Sequence, residues 1–141
     1  MAQPSDAEIK SILENTRTIA VVGASPNPDR PSFEVSAYLI RAGYKVIPVN
    51  PGHAGKEIAG QMTYASLSDV PEPVDMVDVF RASDAVPGVV EEALMLDPLP
   101  KVIWMQLGVR NEAAAAQAEA AGITVVQDRC PKIERMRLFG R

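Results

Sequence analysis

The run Gly23-Ala24-Ser25-Pro26-Asn27-Pro28-Asp29-Arg30-Pro31, leading into Ser32, gathers groups that can hold a phosphate. A strand ending at Gly23 lets the backbone turn sharply and come close to a ligand. A helix opening near Ser32 offers unpaired N–H groups and the positive end of its dipole. Ser25 and Ser32 add hydroxyls, and Arg30 adds a planar cationic fork that matches phosphate oxygens. The same residues also read as a proline-stiffened turn with a capping serine and a solvated arginine, and the run by itself leaves both readings open. A dinucleotide fingerprint would need Gly-x-Gly-x-x-Gly and an acid ending the second strand. Here Ser25 and Pro28 stand in the second and third glycine places, and Asn50 stands in the acid's. A Walker-type loop is missing, because Gly52-His53-Ala54-Gly55-Lys56 lacks its spacing and its hydroxyl. A phosphoacceptor domain would need an aspartate ending the third strand, where Phe80-Arg81 stand instead.

Strands and helices must deliver these groups. Apolar, β-branched runs occur at residues 19–22, 46–49, 76–80, 102–107 and 123–126. Most are nearly continuous, which suits parallel strands covered on both faces. Between them lie amphipathic stretches. Residues 5–15 open with Ser5 and Glu8 in capping-box spacing. Residues 32–42 carry Val35, Leu39 and Ala42 on one face and stop at Gly43. Residues 83–96 show helical spacing but contain Pro87, which requires an irregular first turn. Residues 111–121 are alanine-rich, capped by Asn111 and closed by Gly122. The alternation predicts one α/β, Rossmann-like domain over residues 1–141, with a five-stranded, mainly parallel sheet and helices on both faces. Asp75 and Asp78 suggest that the third strand is a half-wet edge, giving the order 3-2-1-4-5. Pro48 conflicts with the interior second strand this order implies, which places it at the strand's end, just before Asn50-Pro51-Gly52. The ligand crevice would then open between the first and fourth strands, bordered by loops 23–31, 50–60, 80–83, 106–111 and 127–132.

Composition removes several function classes. The 141 residues can bury a core without staples, and 47% hydrophobic with 23% charged is ordinary for a globular protein. The single Cys130 and single His53 exclude an internal disulfide, a multi-cysteine zinc site and any site built on two histidines. Fourteen Lys and Arg against eighteen Asp and Glu, a net charge of −4, give no support to a nucleic-acid or membrane-surface partner. Without a membrane-spanning run or a basic-then-apolar leader, a soluble cytoplasmic protein is expected.

Six short segments, taken in order, resemble a known family. They are Val22-Gly23-Ala24-Ser25-Pro26, Asp29-Arg30-Pro31-Ser32, Pro48-Val49-Asn50-Pro51, Val79-Phe80-Arg81, Trp104-Met105-Gln106-Leu107-Gly108 and Asp128-Arg129-Cys130-Pro131-Lys132. Together they look like the stand-alone CoA-binding proteins, similar to the CoA-binding domain of the succinyl-CoA synthetase alpha subunit. The resemblance implies coenzyme A lying across the strand ends. By motif, Gly23, Ala24 and Ser25 would approach its phosphates, with Arg30 and Ser32 nearby. Asn50, Pro51 and Lys56 correspond to a loop that carries a phosphate-contacting lysine in the synthetase, although the loop is longer here. Phe80 and Arg81 match the segment flanking adenine, where an aromatic face or guanidinium plane would stack on a purine. Gln106 and Gly108 stand near the synthetase's post-strand Glu-Gly. The synthetase's phosphohistidine domain and grasping subunit have no counterpart, so the resemblance implies binding of CoA or an acyl-CoA without catalysis. A small NAD(P)-dependent or acyl-CoA-handling enzyme is the alternative.

Three features stay outside that picture. Cys130 lies between Arg129 and Lys132, and basic neighbours favour a thiolate able to exchange disulfides with the CoA thiol. A buried cysteine completing a loop explains it as well. His53 reads as a surface or rim residue, and residues 132–141 read as a solvated, partly helical or frayed end.

Overall fold

The computed structural model describes residues 3–140. In chain order its elements are helix α1 (Asp6–Asn15), strand β1 (Thr18–Val22), helix α2 (Pro31–Arg41), strand β2 (Lys45–Val49), strands β3 (Glu57–Ile58) and β4 (Gln61–Met62), strand β5 (Met76–Val79), helix α3 (Val86–Leu94), strand β6 (Val102–Met105), helix α4 (Glu112–Ala120), strand β7 (Thr124–Val126) and helix α5 (Pro131–Phe139). Local chemistry sets the helix starts. Ser5 and Glu8 exchange hydrogen bonds of 2.9 and 3.1 Å as a reciprocal box at α1. Asn111 accepts from the Ala114 amide at 2.9 Å and caps α4. A 3₁₀ turn over Ser83–Ala85 precedes α3 and lets Pro87 fall in its first turn, where no N–H is needed.

Five strands form one parallel sheet in the order β2-β1-β5-β6-β7, and β3 and β4 make a separate antiparallel pair. One face packs Val77, Val79, Ile103 and Met105 against Val86, Val90 and Ala93 of α3 and Ala115 and Ala118 of α4. The opposite face packs Val21 and Trp104 with Ile9 and Leu13 of α1, Val35 and Leu39 of α2, and Phe139 of α5. Helices therefore cover both faces.

The strand order corrects the expected one. Among the five sheet strands it runs 2-1-3-4-5, not 3-2-1-4-5, because the third is central. Every residue of β5 is buried, and Asp78 is 0% exposed. Asp75 precedes the strand, and its carboxylate accepts from the Arg17 and Thr18 amides at 2.9 and 3.1 Å. The edge belongs to β2, which resolves the Pro48 conflict. The Pro48 carbonyl faces outward and accepts from the Tyr64 amide at 3.1 Å, so no neighbouring strand requires the missing N–H. The crevice moves accordingly to the switch between β1 and β5.

The chain's end also departs from expectation. α5 is an ordered helix packed on α1 and α2, with Arg137 donating to Asp6 at 2.8 and 3.0 Å and to Glu134 at 2.7 Å. Only Arg141 of that stretch lies outside the described residues. No helix among the described residues is long and apolar enough to cross a membrane.

Candidate ligand-binding site

Where β1 and β5 part, three adjoining recesses open over the carboxyl ends of the strands. A corner recess of about 430 Å³ is lined by Gly23, Ala24, Ser25, Arg30, Ser32 and His53. It shares Gly23 and Asn50 with a recess of about 530 Å³ that reaches α3 past Pro51, Ser66, Gly88 and Glu92. It shares Pro31 and Phe80 with another of about 530 Å³ that reaches α5 past Val35, Gln106, Leu107, Val109, Cys130 and Ile133. Arg81 lines both of the larger recesses.

The corner is braced from below. Gly23 donates to the Val49 carbonyl at 3.0 Å. The Asn50 side chain donates to the Ala24 carbonyl at 2.7 Å and accepts from the Gly52 amide at 2.9 Å. Both ends of that amide are thus occupied by the protein, and Asn50 acts by holding the β1 and β2 loops together. Above this brace, the amides of Ala24, Ser25 and Ser32 meet no protein acceptor among the described residues. Arg30 and Arg81 form no ion pair among the described residues. The cap of α2 is Arg30, whose side chain makes no capping bond, and Pro31 follows it. Ser32 is therefore not the cap; it is buried in the first turn against the corner. Free amides, a helix N-terminus and an unpaired guanidinium converge on one recess, and that combination attracts an anion.

Gly23 has a reason of its own to be glycine. Its φ is +90°, and a Cβ there would sit 2.3 Å from the Phe80 carbonyl oxygen. The crossing of the β1 and β5 loops, rather than a ligand, forbids a side chain. At Gly108 φ is +82°, and its amide donates to Asp128 at 2.7 Å. It lines none of the three recesses, nor does Lys56, which is exposed beside β3. Phe80, Arg81, Pro51 and Gln106 do line them. Sequence reasoning set His53 at the rim, and it lines the corner half-buried. It passed over Ser66, Gly88 and Glu92, which reach the cleft only because α3 and the loop before β5 fold back beside β1. Glu92 also accepts from the Leu67 amide at 2.6 Å, so its carboxylate is fixed where it meets the recess.

A family model described as CoA binding domain matches residues 17–136. The chain belongs to this CoA-binding domain family. An uncharacterized protein YneT of Bacillus subtilis (strain 168) is 45% identical over 133 residues, covering 94% of this chain and 96% of that protein. A Thermus thermophilus structure is 43% identical with a TM-score of 0.91, covering 96% of this chain and all of that one. Part of the chain is also similar to larger proteins. The alpha subunit of an ADP-forming acetate–CoA ligase I from Pyrococcus furiosus is 36% identical over 84 residues, spanning 57% of this chain but 18% of the subunit.

Proposed function

We propose that this family member binds coenzyme A or an acyl-CoA across the carboxyl ends of β1, β5 and β6 and carries out no reaction on it. The observation that supports this most is the corner recess, where three unbonded amides and the unpaired Arg30 surround a space suited to a pyrophosphate. In this reading the α3 recess takes the nucleoside. Its apolar walls of Val22, Val49 and Val89 pack a base, the Arg81 plane stacks on it, and Glu92 and Ser66 accept from its N–H and hydroxyl groups. The α5 recess takes the pantetheine arm, an apolar chain interrupted by amides, against Phe80, Val35, Leu107 and Ile133. Gly23, Asn50 and Gly108 serve by holding the loops, and Lys56 contacts the ligand only from the rim.

Calorimetric titration with CoA, acetyl-CoA, dephospho-CoA and NAD tests the proposal. CoA and acetyl-CoA should both bind and be recovered chemically unchanged, and NAD should give no heat. Preferential NAD binding, or turnover of acetyl-CoA, would overturn it.

A further inference from the structure

Asp78 is the odd residue of the sheet. It lies mid-strand in β5, in register with Val21 on one side and Trp104 on the other, and is 0% exposed. A carboxyl without solvent needs a partner. The partner within reach is Gln106, itself only 5% exposed, which projects from the end of β6 and lines the α5 recess. With its nitrogen toward Asp78, the Gln106 amide donates to the two carboxylate oxygens at 3.0 and 3.3 Å. With its oxygen toward Asp78, the contact is a hydrogen bond only when Asp78 carries the proton. An ionised Asp78 is therefore satisfied by one orientation of the amide only, whereas a protonated Asp78 both donates and accepts and meets either.

We propose that Asp78 is a positioning residue for the ligand: ionised, it fixes the Gln106 carbonyl toward the recess, and protonated, it releases the amide to turn either way. An ionised Asp78 holds the N–H2, leaving the carbonyl to accept from an amide N–H of the bound arm. A neutral Asp78 can also donate to the carbonyl, which frees the N–H2 to turn outward and donate to an amide or thioester carbonyl. Burial holds the Asp78 carboxyl well above the usual aspartate range. The titratable and charged groups on the surrounding elements are Asp29 and Glu34 at α2, Arg81 after β5, and Arg129, Cys130, Lys132 and Glu134 at α5. Glu34 is paired with Lys132 and Glu134 with Arg129, at 2.6 and 2.9 Å, so these charges largely answer one another. β1 and β6 face Asp78 with uncharged residues.

The inference rests on CoA occupying the cleft, and the test separates the two. CoA affinity is measured by calorimetry from about pH 4 to 9, spanning ordinary and raised aspartate values, for wild type, Asp78→Asn and Gln106→Leu. Asn at position 78 satisfies Gln106 in either orientation and does not titrate. The ratio of wild-type to Asp78→Asn affinity should therefore change roughly threefold to tenfold across one protonation step, the effect of a single neutral hydrogen bond. CoA's own ionisations cancel in that ratio. If Asp78→Asn does not fold, Gln106→Leu, which leaves Asp78 in place, should show the same loss of the step. Binding with superimposable wild-type and variant profiles overturns the positioning role alone. No CoA heat from wild type at any pH overturns the binding proposal and this inference with it.

Discussion

The two ends of the sheet treat their polar groups differently. At the amino ends of the strands those groups are tied to one another. Asp75 accepts the Arg17 and Thr18 amides and lies 3.8 Å from the Lys101 ammonium, and Lys45 meets Glu72 at 2.7 Å. At the carboxyl ends, the Ala24, Ser25 and Ser32 amides and the Arg30 and Arg81 guanidiniums are left without such partners among the described residues. Under the proposed function, the end that keeps cations and donors over is the one that meets the ligand. Mutations should therefore split into those that cost stability and those that cost binding.

The largest effect belongs to the joint between the ends and the loops. Gly23→Val forces a side chain onto the Phe80 carbonyl at φ +90° and should destabilise by roughly 2–6 kcal/mol, combining overpacking with backbone strain. A denaturant midpoint near wild type would contradict this. Arg30→Ala should leave the unfolding midpoint unchanged while weakening CoA binding by about 1–3 kcal/mol, the range of a charge-assisted bond; calorimetry reads both the presence and the size of that loss. Asp75→Ala should do the opposite, lowering stability by about 1–2 kcal/mol through two orphaned amides and leaving CoA affinity intact. A variant that lost binding in step with stability would blur the division between the ends. The subtlest signature is a slope. Asp78 is harder to ionise folded than unfolded, so the native state holds more protons. Stability should be fully present below the ordinary aspartate value and fall as pH rises toward the raised one. Asp78→Asn should flatten that stretch in denaturation curves taken across pH.

Much of the architecture was legible because continuous apolar runs and capping residues are local signals. Ser5 with Glu8, Asn111 and Pro87 behave in the structure as their positions imply. Strand order is not local, and there the reading failed on Asp78. A carboxylate in a strand suggests water, but here the amide of Gln106, just past β6, stands in for it. Pro48 held the better clue, since an edge for β2 was the one arrangement that spared its missing N–H. α5 was also readable from Pro131 at its start and Gly140 just past its end at φ +73°, a pairing obscured by the basic residues between them. In the site, the β1–α2 loop could be read because its chemistry is contiguous. Glu92, Ser66 and Gly88 could not, because only the packing of α3 brings them to the cleft. Asn50 and Gly23 line the corner recess and also brace its loops, a second task that only the packing displays.

In the proposed function, leftover donors at the β1–α2 corner receive an anionic nucleotide. Amide chemical shifts followed by ¹⁵N NMR during a CoA titration test it directly. Saturable shifts are expected at Ala24, Ser25 and Ser32, with Arg17 and Thr18 at the far end unmoved. Shifts centred on the far end, or a corner silent at saturating CoA, would contradict it.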